Sequence, residues 1–258
     1  MGGIKPSLSI LRYKIMSNQI RPIVFPNAGV LEYKLNKSEL DYLWKCVENK
    51  KGDVKKNLVG HITGSYGLED PNDQFFQGVL LPLINSYGHT YMNLGETVPI
   101  VNVHPWCMKL WWVNYQNQGE YNPLHDHTGV YSFVIWLKIP FEWEEQNENP
   151  LSLDSNASTI SDFSFVFTDI LGRVRHFPYR LSSHHEGVMV FFPSTLKHQV
   201  HPFYNCDDTR ISISGNIMID TSVTDKERSE ARWDREHPRW DELTQLNHKL
   251  PVTGRMPE

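Results

Sequence analysis

Tyr121-Asn122-Pro123-Leu124-His125-Asp126-His127, followed by the apolar run from Val130 to Ile139, sets three metal-capable side chains at the threshold of a strand. In an extended chain, residues i and i+2 project from the same face, roughly 7 Å apart along the strand. His125 and His127 can therefore reach one ion, while Asp126 points away unless the backbone turns there. A His-x-His pair alone is weak, because isolated histidines more often sit on surfaces or satisfy core hydrogen bonds. A third ligand has to come from farther along. His198 is the candidate, closing the run Gly187-Val188-Met189-Val190-Phe191-Phe192-Pro193-Ser194-Thr195-Leu196-Lys197-His198.

Outward from the histidines the texture is that of strands. Met108 to Tyr115, Val130 to Ile139, Phe163 to Phe167, Val188 to Phe192 and Ile211 to Ile219 are bulky or alternating runs with polar, Gly or Pro turns between them. Short strands in series without intervening helices predict an antiparallel sandwich or barrel. The stretch before them is different. Arg21 to Tyr33 reads as two short strands around Pro26-Asn27-Ala28-Gly29. Asn36 with Glu39 three residues on is a capping box, and Leu40, Leu43, Trp44 and Val47 give the helix it opens one buried face. A second helix is expected from Asn72 to Tyr87, kinked or divided by Pro82. Both helices are expected on the outer face of a sheet. Lys50, Lys51, Lys55 and Lys56 read as a solvated run.

Two segments are harder to place. Glu142 to Asp162 reads as an exposed insertion, with an active-site flap as the functional alternative. Beyond Asp220, mixed charges at helical spacing predict a solvent-facing helix. Trp233 and Trp240 there are suited to staple the tail to the body or to a second copy, giving a homodimer. One domain spans the chain: supporting elements over 1–105, a core over 106–220 and a charged tail over 221–258.

Composition narrows the classes. The 258 residues are 40% hydrophobic, enough for one large core. A formal charge of −5 leaves no footprint for nucleic acid. Cys46, Cys107 and Cys206 lack Cys-x-x-Cys spacing, which argues for a reducing compartment and reads each as a small buried hydrophobe. No apolar run approaches the roughly 18 to 20 residues that cross a bilayer, and Met1-Gly2-Gly3-Ile4-Lys5-Pro6 does not read as a secretory leader. The expectation is a soluble cytoplasmic protein without a membrane partner.

Twelve residues after His198, Arg210 opens the alternating run Ile211, Ile213, Ile217 and Ile219. Arg210 and Ser212 share one strand face, a guanidinium fork beside a hydroxyl. That pair suits a carboxylate, because Arg makes two charge-assisted bonds and Ser adds a third. A buried Arg in such an interior needs an anionic partner.

With these residues together, the chain resembles the Fe(II)- and 2-oxoglutarate-dependent oxygenases, in particular an uncharacterised branch found in marine bacteria and phages. The likeness lies in Trp112-Val113-Asn114, Tyr121 to His127, Phe191-Phe192-Pro193-Ser194, Lys197-His198-Gln199-Val200-His201-Pro202 and Arg210 to Asn216. The resemblance implies a mainly β fold with flanking helices, a double-stranded β-helix (jelly roll, cupin-like). It implies Fe(II) held by His125, His127 and His198, with 2-oxoglutarate as cosubstrate reaching Arg210 and Ser212. Tyr115, Tyr131 and Trp136, on strands near the expected mouth, are candidates to line the cosubstrate pocket, Tyr115 and Tyr131 as cosubstrate-binding residues. Dioxygen and an unidentified substrate would be the partners, hydroxylation the reaction, succinate and carbon dioxide the coproducts. A phage-encoded chain would act in the cytoplasm of its bacterial host.

This sequence departs from the family at one place. Where the usual facial triad has a carboxylate two residues after the first histidine, His127 stands, and Asp126 is one position early. Alternation favours the three histidines, with Asp126 in the outer shell; a bulge would present Asp126 instead. Three neutral ligands leave the site one charge more positive and admit zinc or nickel. Two other readings follow: a zinc hydrolase with Glu186 as base, and a non-catalytic jelly-roll domain, metal-binding or virion-associated. His184-His185-Glu186 reads as a turn, and His201 as structural.

Overall fold

In the computed structural model, which describes residues 27–100, 103–157 and 159–222, the alternating runs become the strands of two antiparallel sheets. The order along the chain is β1 (Leu31–Lys34), α1 (Lys37–Glu48), β2 (Gly64–Gly67), α2 (Leu81–Thr90), β3 (Trp106–Gln116), β4 (Asn122–His125) and β5 (Tyr131–Lys138). Then come α3 (Trp143–Asn147), β6 (Phe163–Thr168), β7 (Val174–Tyr179), β8 (Val188–Pro193), β9 (Lys197–Val200) and β10 (Arg210–Ile219). One sheet has the order β1-β8-β5-β10-β3-β2, and the other β4-β9-β6-β7. Strands β3 to β10 alternate between the two sheets, except for the β6–β7 hairpin within the smaller one, in a double-stranded β-helix, with β1 and β2 added at the edges of the larger sheet. The expected strand over residues 21–26 and the tail from 223 onward, with Trp233 and Trp240, lie outside the described residues.

Period two divides the core between two layers. On β5, Tyr131, Phe133, Ile135 and Leu137 face the helices, while Val134 and Trp136 face the second sheet. On β8, Met189 and Phe191 join the helix side, and Val188, Val190 and Phe192 the inner side. Both strands are buried on both faces, which is why they read as unbroken apolar runs. Each large side chain withdrawn from water there contributes about 1.5–3 kcal/mol. Gly215 marks a close approach, since a Cβ on it would lie 2.5 Å from the Phe133 ring.

The helices sit on the outer face of the larger sheet, as expected. Asn36 caps α1 with the reciprocal Glu39 bond. The second helix divides just before Pro82: Phe76–Leu80 forms a π-helical turn, and α2 follows with Pro82 in its first turn. The wider turn removes the carbonyl that the proline ring would strike, and a first-turn proline lacks only an N–H that would be unpaired anyway.

The segment from 142 to 162 is exposed only in part: residues 153–157 are open to solvent, while its two ends are anchored. Gln146 is buried and ties α3 to Tyr204, accepting from its N–H at 2.8 Å and donating to its carbonyl at 2.7 Å. Asn149, Ser152, Ser161 and Asp162 are buried too, although Leu151 and Leu153 remain exposed. Polar composition concealed these side chains because hydrophobic pattern does not register polar residues, such as Gln146, that are buried by bonding to backbone. Among the described residues, no helix is long and apolar enough to cross a membrane.

Candidate metal centre

β4 and β9 pair so that His125 and His198 are direct cross-strand partners. The chain leaves β4, and two residues later the N–H of His127 donates to the Ser194 carbonyl at 2.9 Å, which swings its ring over the other two. One ring nitrogen from each of His125, His127 and His198 lies within 4.8 Å of the others, and His127 Nε2 is 3.1 Å from His198 Nε2. Gly129, with φ of 117°, then turns the chain into β5.

The rings are oriented as ligands. Nδ1 of His125 faces the Pro123 carbonyl at 2.7 Å, and Nδ1 of His198 faces the Leu196 carbonyl at 3.0 Å. Each bond places the proton on Nδ1 and leaves the Nε2 lone pair for an ion. Burial holds the rings neutral. It lowers His125 below the usual histidine value, His127 to about 4 and His198 to about 3, with Lys197 adding to the first and neighbouring histidines to the other two. Three neutral nitrogens gathered on one side, with space opposite, fit a divalent first-row metal such as iron(II).

Asp126 is not presented to the centre. Its carboxylate accepts from Lys197 Nζ at 2.8 Å on the exposed side, and that pair holds its pKa below the usual aspartate value. Nor does it bond to a histidine, so its expected outer-shell place is corrected to a surface ion pair. We expect Asp126→Asn to keep full metal stoichiometry and change ion affinity no more than about fivefold, the scale of an exposed pair at about 0.2–1 kcal/mol. His127→Asn should lose the ion under the same equilibrium dialysis; the opposite ranking would make Asp126 the ligand.

The histidines open on a cavity of about 370 Å³ between the sheets, which Arg210, Ser212, Trp112 and Trp136 also line. Arg210 faces Gln116 across the β10–β3 ladder. Its guanidinium donates to Gln116 Oε1 from Nε at 3.2 Å and Nη2 at 2.6 Å. Nη1 donates to the Ser161 carbonyl at 3.0 Å, and Nη2 to the His201 carbonyl at 3.3 Å. The rings of Phe141 and Phe203 lie 5.7 and 5.5 Å from its centre. All these partners are neutral. Among the described residues no carboxylate comes within ion-pair distance, so none of them supplies the anionic partner expected of a buried Arg. Burial draws its pKa down to about 9, against the pull of Asp162, and it stays charged at neutral pH.

Tyr115 and Tyr131 do not belong to this cavity. Odd positions of β3 and β5 face the helix side, so Tyr115 packs edge-on to Tyr66 at 5.9 Å. Tyr131 is fully buried against Tyr87 and Phe191, its hydroxyl accepting from the Leu94 N–H. Their assignment to the cosubstrate is corrected by strand parity. Glu186, the base a hydrolase would need, accepts from the Ile139 N–H at 2.8 Å and does not line the cavity. The hydrolase reading therefore lacks its base.

Three features escaped the sequence reading. Gln116 becomes visible only once β3 is registered against β10. Residues 54–62 supply one wall of the cavity through Val54, Leu58, Val59 and Ile62, pinned by the His61 N–H to the Tyr121 carbonyl at 2.9 Å. Asp162 is buried behind Arg210. Nothing local marks any of the three. Lys55 and Lys56, beside that wall, are solvent-exposed, as read.

Residues 110–216 match the family described as "Putative 2OG-Fe(II) oxygenase". No curated protein matches the chain. Among solved structures, a prolyl-4-hydroxylase from Pseudomonas putida is similar at 15% identity and a TM-score of 0.45, over 74% of this chain and 93% of that one. A prolyl hydroxylase from Trichoplax adhaerens is similar at 13% and 0.45, over 79% and 87%. HygX from Streptomyces hygroscopicus, with nickel, 2-oxoglutarate and hygromycin B bound, is similar at 10% and 0.41, over 75% and 84%.

Proposed function

We infer that this chain is a 2OG-Fe(II) oxygenase, as its matched central stretch indicates, and we propose that it hydroxylates its substrate with 2-oxoglutarate anchored on Arg210. The observation that carries the second half is a buried guanidinium with no carboxylate partner among the described residues, lining the same cavity as three neutral, convergent histidines. A 2-oxo diacid joins two such ends. Its oxo acid group suits a metal held by His125, His127 and His198, and its far carboxylate suits Arg210 with the Ser212 hydroxyl.

When bound, iron and 2-oxoglutarate supply the oxidising chemistry, with dioxygen consumed and succinate and carbon dioxide released. The protein's part is placement. The Nδ1 bonds to Pro123 and Leu196 hold two imidazoles in the ligating tautomer before any ion arrives, so little ordering remains to be done on binding. Gln116 and the two carbonyls hold the guanidinium in one orientation. Trp112, Trp136 and Phe192 exclude water around the reacting groups, which strengthens every charge interaction inside.

The non-catalytic reading makes the opposite forecast for turnover. With iron(II), ascorbate and 2-oxoglutarate under air, the purified chain should form succinate, slowly without substrate and faster with it. A metal-loaded, folded protein that forms no succinate above the iron-only blank would make it a binding domain.

A further inference from the structure

Within electrostatic reach of Arg210, and not among the residues lining the cavity, lies a second buried ionisable group with no place in the scheme above. Asp162 is 0% exposed, and neither carboxylate oxygen has a hydrogen-bond partner. It is locked to the cosubstrate anchor through the backbone. Ser161, its neighbour, gives its carbonyl to Arg210, and His201, which gives another, donates its own N–H to the Asp162 carbonyl at 2.8 Å. Ser161 is held with φ of 61°, a left-handed conformation that a serine adopts only under constraint. Asp162 and Arg210 attract each other without closing an ion pair.

We propose that Asp162 is a positioning residue for the cosubstrate. Acting through Arg210, it sets how much positive charge the cavity offers to a ligand carboxylate, and it takes a proton from solvent when that ligand binds. The proposal rests on the 2-oxoglutarate reading of the cavity.

The physical reason is competition for one cation. An ionised Asp162 neutralises part of the guanidinium charge and repels an incoming carboxylate; a protonated Asp162 does neither. Two anions about one buried cation are unfavourable where charges are poorly screened, so the ligand and the proton favour each other, as linkage requires. Burial has already raised Asp162 to about 7, against the opposing pull of Arg180, the Trp143 N–H and Arg210. Trp143 Nε1 lies close enough to contribute there, yet it too closes no hydrogen bond of ordinary geometry. The charged or titratable groups that face Asp162 are Arg210 on β10, Arg180 after β7 and His201 after β9. Arg180 stacks on Trp143 at 4.4 Å. His201 is held below the usual histidine value by burial, then by His176 and Arg210.

The test is calorimetric titration of the zinc-loaded protein with 2-oxoglutarate between pH 6 and 8.5, where both ligand carboxyls stay ionised. Wild-type affinity should fall as pH rises through 7, approaching about tenfold per pH unit, the limit for one linked proton. Titrations in two buffers of different ionisation enthalpy should show close to one proton taken up per ligand at pH 8. Asp162→Asn should bind at pH 8 as tightly as wild type does at pH 6, with the slope and the proton uptake gone. Its melting temperature at pH 8 should not fall, because an aspartate whose folded pKa is raised costs stability above that pKa. A variant that keeps the wild-type slope, or a wild type with no proton uptake, overturns the proposal and leaves the oxygenase reading intact. Failure of wild type to bind 2-oxoglutarate at any pH overturns both. If Asp162→Asn does not fold, Asp162→Ser carries the same comparison, which is needed because displacement of a zinc-bound hydroxide would also take up a proton.

Discussion

Arg210→Ala is expected to weaken 2-oxoglutarate binding on the order of a hundredfold or more, with metal content unchanged. The scale comes from buried charge pairs: removing one partner costs about 2–5 kcal/mol, much of it from leaving the other charge desolvated and alone. Here the ligand's carboxylate would be left against Phe141 and Phe203 with only Ser212 to bond. The variant should also lose stability. Gln116 Oε1 and the carbonyls of Ser161 and His201 lose their donor, and each buried unsatisfied group costs about 1–3 kcal/mol. Titration of zinc-loaded variant with 2-oxoglutarate separates the two effects, since a destabilised but folded protein would still bind. Arg210→Lys should recover part of the affinity through its charge but not the two-pronged geometry. An Arg210→Ala protein with wild-type affinity would move the cosubstrate out of this cavity.

His198→Ala should abolish metal uptake. His198 is the most buried of the three histidines, at 4% exposed, and it is bonded through Nδ1 to Leu196 and stacked on Phe163 at 5.5 Å. Losing an outer partner of a metal site commonly costs 10- to 100-fold in affinity, roughly, and losing a ligand must exceed that. Two consequences can be read independently of turnover. Metal content after gel filtration should fall from one ion per chain to background. The rise in melting temperature that an ion at about a hundredfold its Kd confers, equivalent to about 2.7 kcal/mol, should vanish. The apo melting temperature controls for the gap left by the ring. Retained stoichiometry in His198→Ala would mean that the cluster is not the metal site.

Much of this layout was legible before any coordinates. The two helices and their outer position followed from Asn36, Glu39 and the spacing of Leu40, Leu43 and Val47. The β architecture followed from period-two runs such as Phe163 to Phe167. Parity along β10 put Arg210 and Ser212 on one face, and both line the cavity. Parity was also what the tyrosine assignments neglected: Tyr115 and Tyr131 were placed by closeness to the mouth, and alternation sends both to the helix side. The segment 142–162 misled because its buried residues are polar. Hydrophobic pattern cannot find a Gln146 that is buried by bonding to the backbone of Tyr204.

The sequence by itself determined which side chains exist to be used and which face of its own strand each takes, because both are local consequences of residue type and a two-residue repeat. That was enough to name His125, His127, His198 and Arg210. Only the tertiary structure decided what those faces meet. Strand register set His198 opposite His125 and Gln116 opposite Arg210, and chain return brought Ser161, Asp162 and His201 behind the guanidinium. Pairing partners far apart along the chain are selected by packing of the whole core, and no local stretch carries that information.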